Sequence, residues 1–199
     1  RSPGATKLAN WLHQADQAGA PAAIIELTPA MMAAQATAGI EFDLIVITGL
    51  RPSQLKQSPS GEQLENLTRQ CIGNLKPHGV VLLNGDDATA AAFANTVDVP
   101  VAIYGIDAGV QIRGKRLGRY GGQQQVLVVA GHTMMPLTLK MPGDHIARAA
   151  MAAIATSWIV DLPIPEAVAA VETLDKIPGR MQRVALAVDV PVYVDHGQT

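Results

Sequence analysis

Short apolar runs alternate with helix-forming segments through the first half of the chain, and this alternation limits the possible folds more than any other feature. Four runs have the length and composition of strands buried on both faces. They are AAIIEL at residues 22–27, DLIVIT at 43–48, GVVLLN at 79–84 and VPVAIY at 99–104. Between the first two, Thr28 and Pro29 form an N-cap and first-turn pair that predicts a helix through about residue 38. Successive βαβ units predict an α/β fold with a mostly parallel sheet flanked by helices.

The pattern changes after Gly105. Residues 110–140 form short alternating runs punctuated by glycine, which predict a small antiparallel β subdomain at the sheet edge. Residues 144–160 are rich in alanine and have apolar residues at helical spacing, so a closely packed, buried helix is expected there. A second amphipathic helix follows from Pro165. The turn at residues 178–180 then predicts a domain boundary before two short strands within residues 184–194.

Composition excludes several classes of protein. The 199 residues are 48% hydrophobic and 16% charged, as in a folded globular protein. The formal net charge of −2 gives no basic surface for nucleic acid. No apolar run reaches the roughly 20 residues that cross a bilayer, so we expect no membrane association and a cytoplasmic location. The single cysteine, Cys71, is expected to be a buried apolar residue.

Several motifs, in the same order along the chain, resemble the Mur ligases. Residues 178–183 read PGRMQR, close to the Pro-Gly-Arg-Met-Glu-Arg motif of that family, and residues 84–87 read NGDD, close to its Asn-Ala-Asp-Asp. A strand that ends in Val194 and Asp195 follows, as it does in the family. Mur ligases are ATP-dependent, ADP-forming enzymes of peptidoglycan synthesis that join an amino acid to a UDP-muramoyl peptide. The similarity is to the branch that adds the third residue of the peptide.

The resemblance implies a domain arrangement and a set of ligands. Residues 1–178 are expected to be a central, P-loop-type domain without its phosphate-loop part, and residues 179–199 the first strands of a C-terminal domain. ATP, Mg²⁺, a UDP-muramoyl peptide and an amino acid are the implied cofactors and substrates. Arg180 and Asp195 match family contacts to phosphate and ribose, and Glu26 matches a magnesium-binding glutamate. Two simpler roles are open: an ion-pair donor for Arg180 and a turn residue for Asp195.

The chain also departs from the family pattern. No G-x-x-x-x-G-K-[ST] loop occurs in it, and residues 49–58 lack the two aspartates and two histidines of the family loop. The lysine that the family carbamylates falls near Arg69 or Gln70, neither of which forms a carbamate. For Asp86 and Asp87, helix N-capping is the favoured role.

These departures suggest two hypotheses. One is a Mur-ligase-like enzyme with a degenerate active site, and the other is a non-catalytic scaffold or binding module with the same fold. Under either hypothesis we expect this chain alone to be inactive and not to bind ATP or Mg²⁺. An uncovered sheet edge would also favour a homo-oligomer.

Overall fold

The computed structural model describes residues 4–52, 58–106, 109–180, 182–184 and 192–194. Its helices are α1 (Ala5–Gln17), α2 (Pro29–Ala33), α3 (Gly61–Ile72), α4 (Ala88–Ala94), α5 (Asp144–Ile159) and α6 (Ile164–Thr173). Its strands are β1 (Phe42–Ile47), β2 (Leu75–Asn84), β3 (Val101–Ile106), β4 (Ile112–Tyr120), β5 (Gln123–Ala130), β6 (Thr133–Leu139), β7 (Gln182–Val184) and β8 (Val192–Val194). None of these helices is long and apolar enough to span a membrane.

Six strands form one sheet in the order β1-β2-β3-β4-β5-β6. Strand β2 pairs in parallel with β3, and β3 in parallel with β4. The pairs β4–β5 and β5–β6 are antiparallel, so a meander extends the sheet. Strands β7 and β8 form a separate antiparallel pair. The predicted α/β fold, with a mostly parallel sheet, flanking helices and a small antiparallel β subdomain, is confirmed.

The central strands form because their side chains are apolar on both faces. Val81, Leu82 and Leu83 of β2 are each 0% exposed, as a strand covered on both sides requires.

Helix α3 begins with a capping box. The Ser60 side chain accepts a hydrogen bond from the Gln63 backbone amide at 3.2 Å, and the Gln63 side chain accepts one from the Ser60 backbone amide at 2.9 Å. Local sequence and tertiary burial therefore agree in this part of the chain.

The meander packs one face against α5 and α6. Helix α5 contacts β3, β4 and β5, while α6 contacts β6. The inward-facing residues alternate with more exposed ones, as the pleat of a half-buried sheet requires. They include Val126, Val128 and Ala130 on β5 and Leu137 and Leu139 on β6. The alanine-rich sequence of α5 lets the helix approach this surface closely, as the sequence predicts.

Two segments differ from the predictions. Residues 22–27 do not form a strand, because no backbone hydrogen bond joins them to another described residue. The side chain of Ile24 in this segment is 91% exposed. An apolar run becomes a strand only where a neighbouring strand pairs with it. Helix α2 ends at Ala33 rather than near residue 38, and Gln35 has a positive φ of 48°. The predicted cap is present, since Thr28 Oγ1 accepts from the Met31 amide at 3.3 Å.

The chain divides into two compact units. The first consists of Arg1–Ile45 with Leu50–Val80, and the second of Val46–Gly49 with Val81–Thr199. The boundary that the sequence suggests near residue 178 stays a prediction.

Gly114 of β4 tests the packing of the second unit. A Cβ at this position would lie 2.8 Å from Ile106 Cδ1 and Val126 Cγ1 and 3.0 Å from Met151 Sδ. We expect Gly114→Ala to lower the free energy of unfolding by about 1–3 kcal/mol through overpacking, measured by urea denaturation. The control is Gly109→Ala, where nothing lies within 4 Å and φ is not positive, so stability should hold or rise slightly. Equal urea midpoints for Gly114→Ala and Gly109→Ala would contradict the close packing around Gly114.

Candidate functional site

The sequence NGDD follows β2 at the carboxyl end of the parallel strands, the region where α/β sheets bind ligands. Asn84 is 6% exposed. Its Nδ2 donates to the Thr48 carbonyl oxygen at 2.9 Å, and its Oδ1 accepts from the Asp86 amide at 3.0 Å. Asn84 therefore fixes the conformation of the loop that leaves β2 and ties it to the residue that follows β1.

Gly85 brings this loop against β3. Its amide donates to the Tyr104 carbonyl oxygen at 2.7 Å. A Cβ here would lie 2.8 Å from Ile103 Cγ2 and 3.3 Å from the Tyr104 carbonyl oxygen. A larger residue would push the two acidic residues that follow out of position.

The Asp86 carboxylate continues the hydrogen bonding at the end of β3. Both of its oxygens accept from the Ile106 amide, at 3.0 and 2.8 Å. Its Oδ2 also lies 3.5 Å from Nε of Arg148, which projects from α5. The Asp86 side chain is 12% exposed and that of Arg148 is 43% exposed, so the pair is partly shielded from water. Asp86 thus links β2, β3 and α5.

Asp87 begins helix α4. It is 7% exposed, and its Oδ1 accepts from the amides of Thr89 and Ala90, both at 3.0 Å. The predicted N-cap role of Asp87 is confirmed. Asp86 does not cap α4, because its carboxylate accepts from β3 instead. A Cβ on Gly49 would lie 3.3 Å from Asp87 Oδ2, so the chain after β1 passes close to this carboxylate.

Tyr104 lies within the electrostatic field of the Asp86–Arg148 pair. Its side chain is 1% exposed, and burial raises its pKa to about 12. The Asp86 charge raises this pKa as well, while the Arg148 charge lowers it. The Nε of Arg148 is buried and makes no hydrogen bond to any described residue, so its attraction to Asp86 is electrostatic. At neutral pH the Tyr104 phenol is therefore neutral.

Of the three site residues proposed from the sequence, Glu26 and Arg180 are described, and they belong to different compact units. Glu26 is exposed on the irregular segment before α2 in the first unit. Arg180 is exposed in the second unit at the end of a turn, where its amide donates to the Ile177 carbonyl oxygen at 3.0 Å. Gly179 of this turn has a φ of 69°, which favours glycine. Asp195 lies outside the described residues. The roles of all three stay predictions.

Described residues of the first unit line at least two clefts. One, of about 560 Å³, includes Glu41 and Lys76 in its lining, and Lys76 Nζ is paired with Asp43 Oδ1 at 2.7 Å. The other, of about 230 Å³, includes Cys71, whose pKa is raised by burial. A raised thiol pKa favours the protonated, unreactive form. Cys71 is 6% exposed, as expected of a packing residue.

The described residues do not fit a magnesium site. Within residues 4–52, 58–106 and 109–180 and the two short terminal strands, no group of three or more His, Cys, Asp or Glu side chains could hold a metal ion. Magnesium prefers octahedral coordination by oxygen atoms, and one isolated carboxylate supplies too few. Asp86 and Asp87 already accept hydrogen bonds from backbone amides.

Sequence reasoning did not identify Arg148 or Tyr104 as members of this cluster. One signal was available for Arg148, since it is the single arginine or lysine in the alanine-rich helix α5. A long cationic side chain amid small apolar residues indicates a specific partner. Tyr104 ends an apolar run and gives no such signal, because its neighbours come from β2 and α5.

Taken together, the parallel strands, the antiparallel meander and the polar loop after β2 define an α/β domain with its polar residues at the carboxyl edge. Residues 2–157 match the Mur ligase middle domain family. The chain therefore belongs to the Mur ligase family.

Curated relatives include UDP-N-acetylmuramoyl-L-alanyl-D-glutamate–2,6-diaminopimelate ligases. The protein from Listeria monocytogenes is 23% identical over 189 residues, which are 91% of this chain and 38% of that protein. The protein from Bacillus cereus is 22% identical over 204 residues, 100% of this chain and 42% of that protein. The chain thus spans about two-fifths of the length of these relatives.

Solved structures share the fold. The structure of a diaminopimelate ligase of the same description superposes with a TM-score of 0.80 at 19% identity. The superposed region is 92% of this chain and 39% of the ligase chain. A pseudomurein peptide ligase type C from Methanothermus fervidus gives a TM-score of 0.62 at 16% identity, and the superposed region is 82% of this chain and 40% of that chain. At these identities the similarity establishes the fold.

Two substitutions at Asp86 separate its hydrogen bond from its charge. Asp86→Ala leaves the buried Ile106 amide without its acceptor, so we expect a loss of about 1–3 kcal/mol in unfolding free energy. Asp86→Asn keeps an acceptor oxygen and should lose less. Urea denaturation of both variants measures the difference. Wild-type stability in Asp86→Ala would show that this contact contributes nothing.

The raised Tyr104 pKa predicts a stability loss at high pH. The phenol ionises near pH 10 when unfolded and near 12 when folded, so its stabilising contribution is full below pH 10 and is lost between pH 10 and 12. The contribution is about 2–3 kcal/mol. Tyr104→Phe should remove this pH dependence, and Asp86→Asn should lower the Tyr104 pKa while leaving it above 10. Tyrosinate absorbance and denaturation from pH 9 to 11.5 test both. A Tyr104→Phe variant with an unchanged pH profile would contradict the assignment.

Proposed function

We propose that this chain is part of a Mur-ligase-like protein with a degenerate active site. Its family consists of ATP-dependent ligases that add an amino acid to a UDP-muramoyl peptide, in the cytoplasm, during peptidoglycan synthesis. The chain alone is inactive and binds neither ATP nor Mg²⁺. The main supporting observation is that both carboxylates after β2 are already engaged by the protein, Asp86 by Ile106 and Asp87 by the start of α4.

The position of Glu26 supports the same proposal. Its carboxylate is exposed, and the segment that holds it has no strand partner among the described residues. A magnesium ligand needs a fixed position and further oxygen ligands nearby. The loop at residues 49–58 contains neither aspartate nor histidine to supply them.

A non-catalytic scaffold or binding module is the second candidate. Its support is the contrast between a retained core and substituted polar positions. Val81, Leu82 and Met151 are each 0% exposed, so packing is complete where the fold requires it. Under this alternative the protein binds a UDP-muramoyl peptide without forming ADP. If the whole protein is instead a degenerate ligase, it releases ADP slowly in the presence of peptide and amino acid, although the chain alone does not.

Isothermal calorimetry with ATP and Mg²⁺ at millimolar concentration tests the proposal. We expect no saturable heat for the 199-residue chain, because no described group of side chains can hold the metal and no phosphate loop is present in the sequence. An active Mur ligase under the same conditions is the positive control, and Arg180→Ala is the matched variant. Saturable, stoichiometric heat that is lost in Arg180→Ala would refute the proposal and support the predicted role of Arg180.

A further inference from the structure

Strand β6 lies at one end of the sheet order, so one side of its backbone has no neighbouring strand among the described residues. In an edge strand of this kind the residues alternate. One set bonds the neighbouring strand, and the other set points its N–H and C=O groups outward. The pairing with β5 keeps one register along all of β6, from Thr133 opposite Ala130 to Leu139 opposite Gln124. The outward set therefore consists of every second residue throughout β6.

The Thr138 amide identifies the outward set. It donates to Glu172 Oε1 at 2.7 Å, and Glu172 lies on helix α6 rather than on a neighbouring strand. Met134 and Pro136 have the same parity as Thr138, so these three residues point outward. Proline has no N–H, and the Thr138 N–H is already paired with Glu172. Of these three residues, Met134 alone has an outward amide that neither feature removes from pairing.

Glu172 occupies a position where an acidic residue does not help its own helix. It is the ninth of the ten residues of α6, and the last turn of this helix contains no basic residue. The helix dipole places partial negative charge at this end, where acidic side chains are unfavourable. The hydrogen bond to the part-buried Thr138 amide gives Glu172 a role outside the helix. The β6 edge therefore accounts for an acidic residue that the helix does not explain.

We propose that Glu172 closes the β6 edge against strand addition and so keeps copies of this chain from pairing through it. An open sheet edge is a template for another strand, and natural proteins block such edges with proline, charged side chains or a covering helix. Pro136 and Glu172 block two successive outward positions here. Strand β6 and helix α6 both belong to the second compact unit, and the inference is independent of the proposed function.

Amide hydrogen exchange, followed by NMR on the full 199-residue chain, tests the contact. After correction for intrinsic rates, we expect the Thr138 amide to exchange at least about tenfold more slowly than the Met134 amide, because it is bonded to Glu172. Glu172→Ala should remove this difference, whereas Glu172→Gln keeps an acceptor oxygen and should retain most of it. Equal exchange of the two amides in the native chain would overturn the proposal.

Sedimentation velocity over a concentration series tests the consequence. We expect Glu172→Ala to self-associate at least about tenfold more tightly than the native chain, since each copy in a strand pair gains a hydrogen bond from its freed Thr138 amide. Glu172→Gln removes the same acidic group but keeps the acceptor, so its association should match that of the native chain. Circular dichroism checks that each variant is folded.

A second substitution locates the association at β6. Thr138→Pro in the Glu172→Ala background removes the freed N–H, and β6 already contains a proline at an outward position, Pro136. The double variant should therefore return to the association of the native chain. Glu166→Ala removes an acidic residue from the first turn of the same helix and should leave association unchanged.

Three outcomes of the sedimentation series would each overturn the proposal. The first is association of Glu172→Ala that equals that of the native chain. The second is equal tightening in Glu172→Ala and Glu172→Gln, which would assign the effect to the lost acidic group rather than to the acceptor. The third is tight association that persists in the double variant with Thr138→Pro, which would place the contact on another surface.

Discussion

Backbone amides that are removed from water need hydrogen-bond acceptors, and this requirement determines how the polar residues of the chain are used. The sheet supplies acceptors within its ladders, but β3 ends at Ile106, whose amide faces the loop after β2. Asp86 provides the acceptor there. Helix α4 leaves amides of its first turn unpaired, and Asp87 provides the acceptor for two of them. Two neighbouring acids that match a motif of the family thus stabilise the backbone.

The same requirement explains how much of the fold could be predicted from sequence. Apolar periodicity correctly predicted the helices α5 and α6, the strands β1 to β3 and the meander, since each buries its apolar face against neighbouring elements of the fold. It was wrong for residues 22–27 because hydrophobicity reports which residues avoid water, whereas strand formation also requires a pairing partner. No local property of the six residues shows whether that partner is present.

The candidate site was predictable only where its contacts are local. The cap by Asp87 involves residues two and three positions away, and an aspartate directly before an alanine-rich helix is enough to suggest it. Asp86 interacts across 20 residues with Ile106 and reaches Arg148 on a helix much later in the chain. Those partners depend on the parallel pairing of β2 with β3 and on the packing of α5, which motif comparison alone does not provide.

The interactions of Asp86 also bear on how a ligase fold could lose its chemistry while its core persists. A metal ion at this carboxylate would have to compete with the Ile106 amide and with the Arg148 guanidinium. Releasing the amide costs about 1–3 kcal/mol if it stays buried, and a cation beside Arg148 adds repulsion. Among the residues that the structure describes, no group of three or more His, Cys, Asp or Glu side chains is present to offset these costs. The proposed degenerate site is consistent with this balance, because the ion pair and the amide contact hold the Asp86 carboxylate within the protein.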